Sequence, residues 1–135
     1  MNEWRMLQSG LSDGATNMAM DEAMTEALAA GRIRPTLRFY GWRPYAVSLG
    51  YFQKADREMD LAACRAQGID IVRRLTGGRA VLHSTELTYS IVVPEDYEDM
   101  PRTITASYSR LTKGLLLGLR ELGVDAQMAI PVQAY

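Results

Sequence analysis

The chain has 135 residues, of which 47% are hydrophobic and 23% charged, an ordinary globular composition that excludes collagen-like, low-complexity and disordered proteins. Fifteen Lys and Arg against sixteen Asp and Glu leave a net charge of -1, which argues against a dedicated nucleic-acid binder. No apolar run approaches the roughly 20 residues of a membrane span, and one cysteine excludes an internal disulfide. The length allows one domain at most.

The first 11 residues carry Glu3 and Arg5 and lack the apolar centre of a signal peptide, so we expect a cytoplasmic protein. A helix is predicted from Asn17 to Ala30, because apolar residues recur there at three- and four-residue spacing. The acidic residues of this segment fall outside the apolar stripe. Gly31 stands where a C-terminal cap belongs. The methionines from Met6 to Met24 are interpreted as core residues.

Two strands are predicted next, Thr36 to Tyr40 and Ala46 to Leu49. Gly41 to Pro44 separates them, and we expect the pair to form a hairpin. A short helix is then expected from Asp60 to Gln67, capped by Asp60 and closed by Gly68.

Three further strands are expected at Ile69 to Arg73, Ala80 to His83 and Leu87 to Val93, with a turn between the last two. A long amphipathic helix is predicted from Thr103 to Leu122 and ends at Gly123. The alternating segment Val124 to Ile130 is typical of a half-buried strand. This order predicts a mixed α+β arrangement. Because the last strand would need neighbours, we expect the chain to be part of a longer protein.

The segment from Ile71 to His83 carries the residues best suited to bind a ligand. Gly77 and Gly78 have no side chains, so a ligand can approach the backbone, and successive free amides can form an anion-binding concavity. Three arginines, Arg73, Arg74 and Arg79, could reach the same anion. A plain hairpin with solvated arginines is the alternative. The spacing matches neither a P-loop nor a dinucleotide fingerprint.

Other candidate residues carry weaker signals. His83 is the only histidine, and a structural role is favoured over a catalytic one. Cys64 is expected to be buried and inert, and one His with one Cys cannot supply a zinc site. Gly50 and Tyr51 follow a strand directly and are interpreted as one wall of the same cleft, with an ordinary strand exit as the alternative.

Several linked motifs resemble the lipoate–protein ligases and their octanoyltransferase relatives. Asn17–Ala23 resembles the opening helix of this family, and Arg38–Trp42 and Val47–Gln53 resemble its next two strands. Arg73–His83 is similar to the family signature Arg-Arg-x-x-Gly-Gly-(Gly)-x-Val-x-His. The likeness is greatest to the octanoyltransferase branch, because Arg79 stands where ATP-using ligases commonly carry a third glycine.

The resemblance extends from about Trp4 to Pro131 and implies a biotin/lipoate protein ligase-like catalytic domain, related to class II aminoacyl-tRNA synthetases, with a mixed β-sheet flanked by helices. Residues 1–135 would be its N-terminal part, with a core over about 33–135. It implies transfer of an octanoyl group from octanoyl-acyl carrier protein, through a cysteine thioester, to a lysine of a lipoyl domain such as the glycine cleavage H protein. No cofactor, metal, nucleic acid or membrane is implied.

The same resemblance places the family's nucleophilic cysteine and its activating lysine downstream of the matched region, so no catalytic residue is expected within 1–135. It implies nine substrate-binding residues: Arg73, Arg74, Thr76, Gly77, Gly78, Arg79, His83, Gly50 and Tyr51. Three alternatives stay open: an ATP-dependent lipoate–protein ligase, an amidotransferase between lipoyl domains, and a non-catalytic acyl- or carrier-binding domain.

Overall fold

The computed structural model describes residues 3–97 and 100–128. The chain divides into two compact units, Met1–Pro94 and Glu95–Tyr135. The elements of the first unit are β1 (Arg5–Ser12), α1 (Gly14–Ala29), β2 (Thr36–Trp42), β3 (Ala46–Leu49), α2 (Ala55–Glu58), α3 (Leu61–Ala66), β4 (Asp70–Arg73), β5 (Val81–His83) and β6 (Thr88–Val92). Within its described residues, the second unit contains one helix, α4 (Ile104–Glu121).

The strands of the first unit form two three-stranded sheets. In one sheet β2 lies between β1, which is parallel to it, and β6, which is antiparallel. In the other, β3 lies between the parallel β4 and the antiparallel β5. Mixed sheets with flanking helices confirm the predicted α+β class.

The predicted hairpin between the second and third strands is wrong, because β2 and β3 belong to different sheets. Both edges of β2 are hydrogen-bonded to other strands, so no edge is left for β3. Likewise β5 and β6 are neighbours in the chain but join different sheets. The bounds of all five predicted strands in this unit agree with the structure to within two residues.

The strand β1 was not predicted. It pairs with β2 along its length, and the register shifts between Gln8 and Leu11, where Gly10 has φ +69°. Met6 was expected in the core, but the residue is 65% exposed. The alternation in this strand is irregular because of the shifted register, which explains why it gives a weak strand signal.

The helix α1 begins three residues before its predicted start. Asp13 is the N-cap, and its Oδ1 accepts a hydrogen bond from Thr16 N at 2.7 Å. The amide of Gly14 donates to Asp70 Oδ2 at 2.9 Å, which fixes the helix start on β4. Gly31, with φ +66°, confirms the predicted C-terminal cap.

The later helices that were predicted, α3 and α4, agree with the sequence, whereas the short helix α2 was not predicted. Asp60 Oδ1 accepts from Ala63 N at 2.9 Å at the start of α3, and Gly68 closes that helix with φ +66°. Thr103 caps α4, and Gly123 ends it with φ +79°. Residues 124–128 form no strand, contrary to the prediction, and the rest of that predicted strand, 129–130, lies outside the described residues. No helix in the described ranges is long and apolar enough to cross a bilayer.

The core of the first unit is built on the last residues of β2. Tyr40 and Trp42 are buried, with ring centroids 5.6 Å apart, and Ala46 at the start of β3 packs with them. Met18 from α1 and Val72 from β4 complete this cluster. The core therefore lies where the two sheets and α1 meet, and β3 extends from it towards the predicted ligand-binding segment.

Candidate functional site

Two turns come together at the ends of β3 and β4. The first, Gly50–Gln53, is closed by a hydrogen bond from Gln53 N to Gly50 O at 3.0 Å. The second spans residues 75–80 and is called the glycine turn here, because it contains Gly77 and Gly78. Tyr51 N donates to Thr76 O at 2.9 Å and joins the two turns.

Gly50 allows the closest contact between these turns. A Cβ atom at residue 50 would lie 1.9 Å from Gly78 O and 2.9 Å from Gly78 C, distances that no real side chain adopts. Gly78 has φ +92°, a conformation that favours glycine. A Cβ at Gly77, by contrast, would have no neighbouring atom within 4 Å. Gly50 and Gly78 are therefore required by packing and backbone geometry, whereas Gly77 leaves open space beside the turn.

Arg74 holds the glycine turn against β3. Its Nη2 donates to Gly77 O at 2.9 Å and to Arg79 O at 2.7 Å. Its Nη1 donates to Ser48 O at 2.8 Å and to Ser48 Oγ at 3.1 Å. Partial burial lowers the pKa of this guanidinium below its ordinary value, but an arginine stays charged at neutral pH.

Arg73 performs the equivalent task for the first turn. Its Nη1 lies within hydrogen-bond distance of the carbonyl oxygens of Gly50, Tyr51 and Gln53, at 2.8, 2.9 and 2.8 Å. Both arginines were expected to face an anion, yet in the structure their donors are directed to backbone carbonyls. Arg79 is exposed, and its guanidinium makes no hydrogen bond or ion pair with a described residue.

The glycine turn has engaged carbonyls and available amides. The oxygens of Thr76, Gly77 and Arg79 accept the hydrogen bonds given above from Tyr51 and Arg74. Over residues 3–97, the amides of Gly77, Gly78 and Arg79 donate to no backbone or side-chain acceptor. A turn whose amides are available while its shape is held by a guanidinium can bind an oxyanion or a carbonyl oxygen.

His83 lies behind this turn and not on its open surface. The residue is 8% exposed, and its ring stacks on Trp42 with centroids 4.1 Å apart and 14° between the planes. Nε2 is 2.7 Å from Ser48 Oγ, and Nδ1 is 2.6 Å from Glu86 Oε1. Both ring nitrogens therefore have partners within the protein, in agreement with the structural role favoured from sequence.

Glu86 ends this hydrogen-bonded series. Its partial burial raises the pKa of the carboxyl group, but hydrogen bonds from His83 and Thr88 outweigh burial, so the net shift is downward. Thr88 Oγ1 is 2.8 Å from Glu86 Oε1 and accepts a hydrogen bond from Trp42 Nε1 at 2.7 Å. Glu86 is an ionised acceptor at neutral pH.

A second buried polar network was missed by the sequence analysis. Arg38 on β2 is fully buried and donates to Asp21 Oδ1 at 2.8 Å and Asn17 Oδ1 at 2.7 Å. Asp21 also accepts from Tyr40 and Ser90, and its charge adds to the effect of burial in raising the pKa of Tyr40. The four-residue spacing of Asn17 and Asp21 places them on one helix face, which was the available signal.

A cleft of about 360 Å³ adjoins the glycine turn and is lined by Phe52, Gln53, Lys54, Arg57 and Gly78. Tyr51 and Phe52 are exposed beside it, with their rings edge to face at 5.0 Å. Cys64 is partly exposed on α3, contrary to the expected burial, and does not line this cleft. Among the described residues, no group of three or more His, Cys, Asp or Glu side chains is placed to hold a metal ion.

The family model for the lipoyl protein ligase A/B catalytic domain matches residues 13–130. The chain is 52% identical over 131 residues to the octanoyltransferase LipM of Kyrpidia tusciae, covering 97% of this chain and 48% of that protein. It is 50% identical to the octanoyltransferase LipM of Geobacillus kaustophilus, covering 95% and 46%. The chain thus spans about half the length of the curated relatives it matches.

Solved structures of lipoate–protein ligases are also similar to this chain. A bi-partite lipoate protein ligase of Thermoplasma acidophilum, studied with its E2 lipoyl domain, superposes with a TM-score of 0.75 at 34% identity, covering 98% of this chain and 52% of that one. A lipoate-protein ligase A bound with ATP superposes with a TM-score of 0.72 at 35% identity, covering 96% and 53%.

Proposed function

The chain belongs to the lipoyl protein ligase A/B catalytic domain family, and we propose that the protein containing it is an octanoyltransferase of protein lipoylation. The donor in this proposal is octanoyl-acyl carrier protein, and the acceptor is a lysine of a lipoyl domain such as the glycine cleavage H protein. Identity of 50–52% to octanoyltransferases, against 34–35% to the solved ligases, favours the transferase. Residues 1–135 would be the N-terminal part of the catalytic domain, in a cytoplasmic enzyme that needs no cofactor.

The observation that carries the proposal is the glycine turn with its available amides. Arg74 and the contact at Gly50 hold the turn in shape before any ligand arrives. Amide donors that need no rearrangement stabilise the charge that develops on a thioester oxygen during acyl transfer. The open space beside Gly77 leaves room for the acyl carbonyl to approach.

We assign different roles to the nine proposed site residues. Thr76, Gly77, Gly78 and Arg79 would face the acyl group, and Tyr51 would form the adjoining wall. Gly50, Arg73, Arg74 and His83 would act from behind, because their contacts are with the turns themselves.

The cleft beside the turn has a volume of about 360 Å³, within the usual range for ligand pockets of about 300–1,000 Å³. Its cations, Lys54 and Arg57, are suited to the anionic part of a carrier-bound donor, and Phe52 offers an apolar surface.

The proposed reaction proceeds through the cysteine that the family resemblance places downstream of the matched region. Its thiolate attacks the donor carbonyl, the new thioester forms, and the carrier's pantetheine thiolate leaves and takes up a proton. The ε-amine of the acceptor lysine then attacks this thioester, an amide forms, and the cysteine leaves as a thiol that takes up the proton lost by the amine. The second step makes transfer irreversible, because an amide is more stable than a thioester.

An ATP-dependent lipoate–protein ligase is the second candidate, favoured by the superposition on a ligase bound with ATP. Intact-mass spectrometry of the full-length protein separates the two. The transferase predicts an octanoyl adduct on one cysteine after mixing with octanoyl-acyl carrier protein and no ATP. An acyl product that forms only with ATP and free acid would establish the ligase instead. Binding of the octanoyl carrier without an adduct or transfer would identify a non-catalytic binding domain.

A further inference from the structure

We propose that Ser48 and His83 are positioning residues that set the shape of the glycine turn through Arg74. The hydrogen-bonded series runs from Glu86 through His83 and Ser48 to Arg74, and from there to the carbonyls of the turn. The effect on acyl binding rests on the proposed function above, whereas the effect on the turn does not.

The partners of His83 define which ring nitrogen carries the proton. An ionised Glu86 is only an acceptor, so Nδ1, 2.6 Å away, must donate to it. The Ser48 hydroxyl has one hydrogen and two acceptor sites; it accepts from Arg74 Nη1, and in the proposed series its own hydrogen points to Nε2 at 2.7 Å. The proposed series therefore includes an imidazole that is protonated on Nδ1 and accepts at Nε2.

Ser48 is the element that connects the histidine to the arginine. It is 1% exposed, so water cannot replace its hydroxyl without rearrangement of β3. Arg74 Nη1 donates to both the carbonyl and the hydroxyl of Ser48, and these two bonds orient the guanidinium plane. Nη2 of the same plane is then directed at Gly77 O and Arg79 O. Removing the hydroxyl leaves Nη1 with one acceptor and leaves Nε2 without a donor.

The test compares Ser48→Ala with Ser90→Ala in the full-length protein. Ser90 is a matched control, because its hydroxyl also bonds a charged side chain, Asp21 Oδ1 at 2.8 Å, but makes no hydrogen bond to Arg74 or to the turn. We expect Ser48→Ala to move the backbone amide NMR signals of Gly77 and Gly78, speed their hydrogen exchange, and weaken octanoyl-acyl carrier protein binding about tenfold. Ser90→Ala should leave all three unchanged.

Two results would overturn the positioning role: unchanged turn amides in Ser48→Ala, or the same amide changes in both variants. A third measurement needs no variant, because the ¹⁵N shift of His83 Nε2 must be that of an unprotonated nitrogen. A protonated Nε2 would contradict the assigned series. If the unaltered protein binds no octanoyl carrier, the proposed function fails, while the amide and tautomer measurements still decide the positioning role.

Discussion

The contact between Gly50 and Gly78 permits the sharpest prediction, for the substitution Gly50→Ala. The added Cβ would lie 1.9 Å from Gly78 O, and this separation has to increase to at least 3.0 Å. The atoms in the way are backbone, so a side-chain rotation cannot relieve the clash. The two turns must therefore move apart.

The cost follows from what this movement breaks. Overpacking alone typically costs about 1–3 kcal/mol. The hydrogen bond from Tyr51 N to Thr76 O, worth about 1 kcal/mol, joins the same two turns and would be strained or lost. We expect a loss of about 3 kcal/mol in the free energy of unfolding. At a urea m-value of about 2 kcal/mol/M this lowers the midpoint by about 1.5 M.

The assay is urea unfolding of the full-length protein, with Gly77→Ala as the matched control. A Cβ at Gly77 meets no atom within 4 Å, so we expect that variant to unfold within about 0.5 kcal/mol of the unaltered protein, or to be slightly more stable. Equal midpoints for the two alanine variants would refute the reasoning, since the contact would then carry no energetic weight.

Three further substitutions test other parts of the site. Arg74→Lys should keep the fold but raise the KM for the octanoyl donor about tenfold, because one ammonium cannot reach both Ser48 and the turn carbonyls. An unchanged KM would show that Arg74 does not hold the turn in its binding shape. Glu86 has a lowered pKa when folded, so its stabilising contribution is present above the pKa of the unfolded chain and is lost as the pH falls through the folded pKa. Glu86→Gln should therefore reduce the fall in the free energy of unfolding at acid pH. An unchanged fall would contradict this. Asp21→Ala leaves Arg38 buried without its carboxylate and should lower the free energy of unfolding, measured in urea, by about 3–5 kcal/mol. A loss below about 1 kcal/mol would show that the ion pair does not stabilise the fold.

Local features of the fold were predictable because they depend on residues a few positions apart. The closing glycines Gly31, Gly68 and Gly123 all adopt positive φ where the sequence placed helix ends, and Asp60 caps the helix it was expected to cap. The start of α1 was placed late although its signal is local, because the N-cap Asp13 accepts from Thr16 three residues on and was overlooked. Strand partners were not predictable, since β2 and β3 are close in sequence but pair with strands elsewhere in the chain.

The candidate site likewise combines features that depend on neighbouring residues with features that depend on distant ones. The residues of the glycine turn and the likeness to a family could be read from the order of residues. The positive φ that requires glycine at residue 78 could not. Whether the turn's amides are available, and that Arg73 and Arg74 donate to carbonyls, depended on which chain segments meet. A donor can bond only to acceptors that are close to it in space. The tertiary structure alone brings the acceptors on β3 and in the two turns next to the arginines that follow β4.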